Sequence, residues 1–482
     1  MHRSKRKLSR ITKNLFTPEA RFYAFVAFFV IMFFTGGGSR DDIQSLLVLR
    51  PLAILFCAYA LIAKAPEQWS GRTFPIYIAG ALAAVMAGQL IPLPPSIWIE
   101  LPGRQIFADI ANIAGIEQPW RPLTLSPSRT LNSLFSLAVP MAAMMLYLNL
   151  DRSYRERVIL VIIILCTISA LWAIFQIMGP EQGPLYLYRI TNFGTGVGLF
   201  ANRNHQAVML ATSIVMLGWY AASMQPNAER AVLKFYSCLA TIFVFIPLLF
   251  VTGSRAGLVL MMPALILALF FVYFGNYHAG QSSKKGGNRL SSTKLFSDRR
   301  MILVLGVAAI TGMAVSSILL SRSLAFDRLL NGDEVAELRV QLLPTLFTML
   351  KDYLPWGSGF GSFEHVYKIY EPRELLMPSY LNQAHNDWLQ YPIEGGAPAI
   401  LVAMAAFFWF IVKFGTLVKN WTRSSYTKYR VLMCVAAILF LLAASVGDYP
   451  LRVPSIIAIF AVIICVFNDG VRSVQRRDIK QQ

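Results

Sequence analysis

The chain alternates long apolar runs with short polar connections, a pattern typical of helical membrane proteins. A bilayer core about 30 Å thick requires roughly 20 consecutive apolar residues in each spanning helix. Twelve segments approach that length, at about 22–37, 46–63, 74–92, 131–149, 158–178, 204–223, 233–251, 257–275, 301–320, 387–412, 431–447 and 452–468. The pattern therefore predicts an all-α integral membrane fold with about 12 transmembrane helices.

Composition supports the same conclusion. Of the 482 residues, 56% are hydrophobic and only 14% are charged, which leaves too little polar surface for a soluble protein of this length. The cysteines Cys57, Cys166, Cys238, Cys434 and Cys465 each lie alone within a predicted span. Because they have neither paired spacing nor a nearby histidine, they indicate neither a disulfide framework nor a zinc site.

The distribution of positive charge predicts the orientation in the membrane. The formal net charge is +19, and lysines and arginines gather in the N-terminal stretch and in the connections 151–157, 282–300 and 413–430 and the tail 471–480. These connections are all cytoplasmic if both termini are cytoplasmic, as the positive-inside rule requires. The first apolar run lacks a cleavage signal, so we expect a retained first span that holds the N-terminus in the cytoplasm rather than a removed leader. The clustering between apolar runs does not favour nucleic-acid binding.

The predicted organisation follows from the spans. A basic N-terminus (1–21) precedes nine spans (22–320), a large external loop (321–386), three further spans (387–468) and a basic tail (469–482). Two other external connections are long: 93–130, where proline-rich stretches predict irregular structure lying on the membrane, and the glycine-rich 179–203. Loops of this length are usually functional. We find no internal repeat of the kind on which many transporters are built.

Three external arginines are candidates for binding an anion. Arg189 and Arg203 flank the glycine-rich turn before the sixth span, and Arg255 lies in TGSRAG between spans seven and eight. Charge at membrane depth is a functional hypothesis by default, and the planar guanidinium binds phosphate oxygens with two hydrogen bonds. The alternative is that each arginine only reaches lipid phosphate. Asn204 and His205, which follow Arg203, are supporting candidates, and for His205 a packing role remains open.

His385 is the strongest catalytic candidate. In QAHNDWLQ, Asn386 is a predicted helix N-cap and Asp387 lies in the first helical turn, so the imidazole stands at the positive end of a helix dipole. Histidine there suits proton transfer near neutral pH. A capping or anchoring role is the alternative. His2, His278 and His365 are predicted surface groups.

The same predicted helix contains an acidic residue and several helix breakers. Pro392, Gly395, Gly396 and Pro398 predict a kink, and Glu394 needs a partner inside the bundle, either an arginine that it orients or simply packing neighbours. The loop GSGFGSF (357–363) has no preceding strand and is too weak to indicate a nucleotide site. Asp41 and Asp42 form no convincing metal-binding set, and we expect neither a metal nor a cofactor.

These stretches resemble the O-antigen ligase and O-antigen polymerase superfamily. The similar pieces are GVGLFANRNHQAVMLA, TGSRAGLVL, LPWGSGFGSF and QAHNDWLQYPIEGGAPAIL, in that order, and PLTLSPSRT before the fourth span. The resemblance implies a membrane glycosyltransferase (GT-C-like) fold and a metal-independent site facing the periplasm. There a glycan passes from a polyprenyl (undecaprenyl) diphosphate carrier to an acceptor hydroxyl. It also implies that Arg203 and Arg255, with Arg189 less directly matched, bind the diphosphate and that His385 assists the acceptor.

Several functions stay open at this stage. The expected partners are a lipid-linked glycan donor, membrane lipids, and an acceptor that is lipid A core, a growing glycan or another hydroxyl. Ligation is favoured only by association with the family name, and O-antigen or exopolysaccharide polymerisation uses the same chemistry. A transporter or lipid-linked glycan flippase is the alternative of another class, for which we expect charges deep in many spans.

Overall fold

The computed structural model describes residues 16–223, 231–275, 339–376, 381–419 and 425–479, mostly as helix. The helices are α1 (Pro18–Thr35), α2 (Leu46–Ile62), α3 (Pro66–Trp69), α4 (Phe74–Gln89), α5 (Pro95–Trp98), α6 (Gln105–Ile113), α7 (Pro127–Ser136), α8 (Ala138–Leu148), α9 (Arg152–Arg155), α10 (Val158–Met178), α11 (Arg203–Ala222), α12 (Ala231–Thr252), α13 (Arg255–Gly275), α14 (Leu343–Tyr353), α15 (Phe363–Tyr370), α16 (Asp387–Lys419), α17 (Ser425–Ala444) and α18 (Pro454–Ile479). Short 3-10 turns occupy Arg373–Leu375 and Pro450–Arg452.

Eight helical segments in the described ranges are long and apolar enough to cross a membrane. They are Pro18–Thr35, Pro127–Leu148, Arg152–Met178, Leu233–Thr252, Arg255–Phe274, Asp387–Lys419, Tyr426–Ala444 and Pro454–Val474. Leu46–Ile62 and Phe74–Gln89 are apolar but shorter. These segments support an integral membrane protein, whereas the count of twelve spans stays a prediction. The predicted span 301–320 lies outside the described residues, and α11 coincides with predicted span six without being among the eight.

The chain divides into two compact units. The first contains Met1–Asp151, Asp333–Gly415 and Ala443–Cys465, and the second contains Arg152–Gly332, Thr416–Leu442 and Val466–Gln482. Both units are therefore assembled from separate stretches of chain. Residues 333–386 of the predicted large loop fall in the first unit, where the described part includes α14 and α15. The boundaries predicted for the loop and the tail stay predictions.

Residues 90–126 of the first unit are more ordered than the predicted irregular structure. Two short antiparallel strands, β1 (Pro92–Leu93) and β2 (Arg121–Pro122), enclose α5 and α6. Arg104 is fully buried at the centre. Its guanidinium donates to the carbonyls of Pro102 and Leu123 at 2.7 Å and of Gly357 at 2.8 Å. The prolines of this stretch predicted loops because proline ends helices. Proline is also tolerated at the first position of a helix, as in α5, and in short edge strands, as in β1 and β2.

Helix α16 is broken in its first half. Gly396 has φ 62° and ψ −162°, which no helix contains, so the predicted kink is confirmed. The break frees carbonyl groups that must find partners inside the protein. The glycine-rich loop 357–361 supplies them: Ser358 N–H donates to Ile393 O and Gly359 N–H donates to Glu394 O, both at 2.9 Å.

The loop has the backbone geometry that only glycine tolerates easily. Gly357, Gly359 and Gly361 have φ values of 80°, 103° and 81°. A Cβ on Gly357 would lie 2.5 Å from Glu394 O, and one on Gly359 would overlap Thr124. The glycines of GSGFGSF are therefore required for close packing, of Gly357 against the broken helix, of Gly359 against Thr124 and of Gly361 against α7, rather than for holding a nucleotide.

We expect Gly357→Ala to destabilise the first unit. A left-handed φ costs a residue with a Cβ about 1–3 kcal/mol, and the added methyl also displaces the α16 backbone. Thermal unfolding in detergent measures the change. Gly80→Ala is the matched control, because nothing lies within 4 Å of a Cβ there and α4 is helical at that point. Equal midpoints for the two variants would contradict the packing argument.

Candidate active site

His385 lies in the turn immediately before α16 in the first unit. Its φ is 52°, the only positive φ of a non-glycine residue in the described part of the chain. Neighbouring hydrogen bonds hold the turn: Ala384 N–H donates to Gln390 Oε1 at 2.8 Å, and Asp387 N–H donates to Ser445 O at 2.9 Å. Strained backbone that is held in this way is characteristic of functional sites.

Asn386 caps the helix as predicted. Its Oδ1 accepts a hydrogen bond from Leu389 N–H at 3.1 Å, so it satisfies one of the amides that α16 leaves open at its start. Asp387 is the first residue of α16. His385 therefore stands directly before a capped helix N-terminus, as its sequence context predicts.

A buried carboxylate faces the imidazole of His385. Asp448 Oδ1 lies 3.6 Å from His385 Nδ1, an ion-pair distance that is longer than a hydrogen bond. The Asp448 side chain is 3% exposed, whereas the His385 side chain is 18% exposed and can still meet a substrate. The Tyr449 ring packs edge-on against the imidazole, with 4.8 Å between ring centroids. Burial, and next the Asp448 carboxylate, raise the pKa of Tyr449, which keeps the phenol neutral.

Arg452 joins the two acids of α16. Its Nε donates to Asp387 Oδ1 at 2.9 Å and its Nη2 donates to Glu394 Oε2 at 3.1 Å. Burial lowers the pKa of Arg452, but the carboxylates of Glu394 and Asp387 outweigh burial and raise it above the ordinary value, so the guanidinium stays charged. Glu394 also accepts from Gln390 Nε2 at 3.0 Å and from Phe363 N–H at 3.3 Å. Of the two roles open for Glu394, orienting an arginine is the one observed.

The sequence pattern did not predict Asp448, Arg452 or Gln390. Asp448 and Arg452 lie in the short stretch GDYPLR between two apolar runs, which looks like an ordinary solvated turn. One signal in the sequence could have indicated Arg452: Glu394 is an acid within an apolar segment, so it needs a cation inside the bundle.

In the second unit, α11 and α13 run parallel with their N-termini side by side. A Cβ on Gly257 would overlap Ala207, and a Cβ on Gly218 would overlap Ala268, so the two contacts have the same offset along both helices. Only parallel helices give that pairing. Arg203 begins α11 and Arg255 begins α13. The two predicted arginines therefore lie at the same end of the unit, where two helix dipoles present their positive ends.

The turn before α11 is fixed by buried amides. Gln176 of α10 accepts from Gly198 N–H at 2.8 Å and donates to Gly198 O at 2.9 Å. Asn202 caps α11 by accepting from Asn204 N–H at 2.8 Å, and Asn192 accepts from Arg203 N–H at 3.0 Å. These bonds set where the helix begins and hence where Arg203 projects.

The predicted site residues of the second unit differ in how exposed their side chains are. Arg203 and Arg255 are half-buried, and the Nε atom of Arg255 is buried without a hydrogen-bond partner in the described residues. His205 is 1% exposed within the first turn of α11, which favours packing over catalysis for that residue. Arg189 is exposed in the connection between α10 and α11.

The structure thus groups the predicted residues into two sets. His385, Asn386, Asp387 and Glu394 lie together in the first unit, whereas the three arginines, Asn204 and His205 lie in the second. Among the described residues, no three His, Cys, Asp or Glu side chains could hold a metal ion together. Asp41 instead pairs with Arg129, and Asp42 pairs with Arg40 at 2.9 Å.

Comparison with protein families bears on this arrangement. Residues 240–404 match the family model described as O-Antigen ligase. This range contains Arg255, the glycine-rich loop 357–361, His385 and Glu394. The match supports membership of the O-antigen ligase and polymerase superfamily. It also supports a ligase- or polymerase-type role in O-antigen biosynthesis for this multi-pass membrane protein. No curated protein matches the chain.

The matched range does not include all the candidate residues of the two units. Arg189 and Arg203 precede the matched range, and Asp448 and Arg452 follow it. The network around His385 therefore combines side chains inside the matched range with two that lie beyond its C-terminal end.

We expect Arg452→Gln to destabilise the protein strongly. Removing one partner of a buried ion pair leaves the carboxylates of Asp387 and Glu394 uncompensated, which costs about 3–5 kcal/mol. Adding Glu394→Gln removes one of these charges and should restore part of the loss. Thermal unfolding of the two single variants and the double variant in detergent measures the coupling. Strictly additive effects would show that the pair does not interact.

Proposed function

We propose that the protein is an O-antigen ligase-like glycosyltransferase. It moves a glycan from a polyprenyl (undecaprenyl) diphosphate carrier to an acceptor hydroxyl at the periplasmic face of the bacterial inner membrane. The observation that carries the proposal is His385, held before a capped helix with a buried carboxylate at Nδ1 and part of the ring exposed. The domain match to O-Antigen ligase supports it independently.

His385 acts as the general base in this proposal. The acceptor hydroxyl oxygen attacks the anomeric carbon while the bond from that carbon to the diphosphate oxygen breaks. The hydroxyl proton passes to the imidazole, and the Asp448 carboxylate stabilises the imidazolium that forms. Because attack occurs opposite the leaving group, the anomeric configuration inverts.

The departing diphosphate takes the bonding electron pair and needs compensating charge. Arg203 and Arg255 are suited to this task because each begins a helix, so guanidinium charge and dipole add at one end of the second unit. Fixed cations stabilise the negative charge that develops on the diphosphate in the transition state, as a metal ion would otherwise do. Arg189, exposed in the adjoining connection, is a third candidate for the same anion.

Ligation and polymerisation share this chemistry and differ in the acceptor. Deleting the gene and examining surface glycans separates them. Lipid A core without O-antigen, together with carrier-linked chains of normal length, indicates a ligase. Single repeat units on the core indicate an O-antigen polymerase, and loss of a secreted polymer alone indicates exopolysaccharide assembly. We expect the first result.

We expect His385→Asn to lower the rate of glycan transfer by about 10²–10⁴-fold, the usual contribution of a general base. Asparagine is chosen because it tolerates the positive φ of this turn, so backbone geometry is retained. The assay follows joining of a lipid-linked glycan to acceptor by purified protein. His365→Asn is the control, since His365 is exposed on α15. Transfer at the original rate by folded His385→Asn protein would exclude the proposed base.

We expect Arg255→Gln to raise the KM for the lipid-linked donor by about one to two orders of magnitude, the loss that a hydrogen bond to a charged group implies. The KM for the acceptor should change little. Arg152→Gln, at an 83% exposed arginine of the same unit, is the control for net charge. An unchanged donor KM together with an unchanged kcat in Arg255→Gln would remove that residue from the anion site.

A further inference from the structure

Helix α6 of the first unit has three faces with different chemistry. The buried face consists of Ala108 and Ala111. At about 100° per residue, the outward surface splits into a polar flank and an apolar flank. The polar flank contains Gln105, Asp109 and Asn112, and the apolar flank contains Ile106, Ile110 and Ile113. The isoleucines therefore form a continuous stripe that is separate from the side chains suited to water.

The isoleucine stripe is open in the described structure. Ile106 is 44% exposed, Ile110 58% and Ile113 88%, and Ile116 and Trp120 beyond the helix are 61% and 64% exposed. A contiguous apolar patch of this kind marks a membrane or partner surface.

The path of the chain indicates that the isoleucine stripe is a membrane surface rather than a protein-partner surface. Residues 90–126 leave the apolar helix α4 and return into Pro127–Leu148, a segment able to span a membrane. The excursion therefore begins at an apolar helix and ends at a segment able to span a membrane, so α6 lies within reach of the lipid surface. An exposed tryptophan such as Trp120 is also typical of the interface between lipid and water.

A groove next to the stripe adds a charged edge. It has a volume of about 370 Å³ and is lined by apolar side chains that include Trp98, Phe107, Ile110 and Ile116, with Arg121 beside them. The Arg121 guanidinium lies 4.8 Å from the centroid of the Trp98 ring. An apolar groove with a cation at its side complements one molecule that is apolar along its length and anionic at one end.

We propose that residues 90–126 form a phospholipid-binding surface. The apolar flank of α6 inserts among the acyl chains of the adjacent leaflet, as an interfacial amphipathic helix does, while the polar flank stays in water. One phospholipid places part of an acyl chain in the groove and its phosphate at Arg121. This proposal is independent of the glycosyltransferase assignment and is tested without measuring transfer.

Fluorescent probes on neighbouring residues test the insertion. Ile113→Cys and Asn112→Cys place a bimane label on the apolar and polar flanks of the same turn, in full-length protein in phosphatidylglycerol nanodiscs, with labelled wild type as background. We expect lipid-attached doxyl groups to quench the Ile113→Cys probe and aqueous iodide to quench the Asn112→Cys probe. Equal iodide quenching at both positions would overturn the proposal. Shielding of the Ile113→Cys probe from both quenchers would indicate a protein partner instead and would also overturn it.

The groove is tested by native mass spectrometry of the detergent-solubilised protein titrated with phosphatidylglycerol. We expect Arg121→Gln to weaken retention of one lipid by about fivefold, the effect of removing one cation near an anionic headgroup. Lys351→Gln is the control, because Lys351 is an exposed cation on α14 outside the groove. Equal retention by Arg121→Gln and wild type would show that Arg121 holds no lipid phosphate.

Discussion

The break in α16 at Gly396 is the constraint around which the first unit is organised. A helix interrupted inside a membrane protein leaves carbonyl groups that water cannot satisfy. Here the glycine loop satisfies Ile393 and Glu394, and Gln89 donates to the same Glu394 carbonyl at 2.9 Å. Arg104 then ties that loop to residues 90–126 through Gly357. One backbone interruption therefore accounts for the close approach of three segments that are far apart in sequence.

The break also separates the short N-terminal part of α16 from the apolar remainder. That part carries Asp387 and Glu394, seven residues and about two turns apart on one face, and Arg452 binds both. Such a buried ionic group adds little net stability compared with apolar packing. Its effect is to fix the rotation of this helical part about its axis, and with it the turn that presents His385 to Asp448.

Local signals in the sequence predicted the local features of the site. The cap at Asn386, the acid at Asp387 and the kink after Pro392 each depend on residues within one or two helical turns. Asp448 and Arg452 were not predicted, because their roles depend on contacts with residues about 60 positions away, for which a single sequence has no local pattern. Similarly, α6 was not predicted because the surrounding prolines dominated the interpretation of 93–130. That Arg203 and Arg255 share one end of their unit follows from the register of α11 against α13, which small residues at the contacts set.

The parallel arrangement of α11 and α13 has a consequence for turnover. Antiparallel neighbours cancel each other's dipoles, but these two add, so the end that carries Arg203 and Arg255 attracts an anion more strongly as the anion gains charge. In the proposed reaction, the carrier diphosphate loses its glycosyl ester and becomes more negative. The spent carrier is then held more tightly than the substrate it came from. Release of the lipid product, rather than bond formation, is accordingly the step that such an arrangement slows.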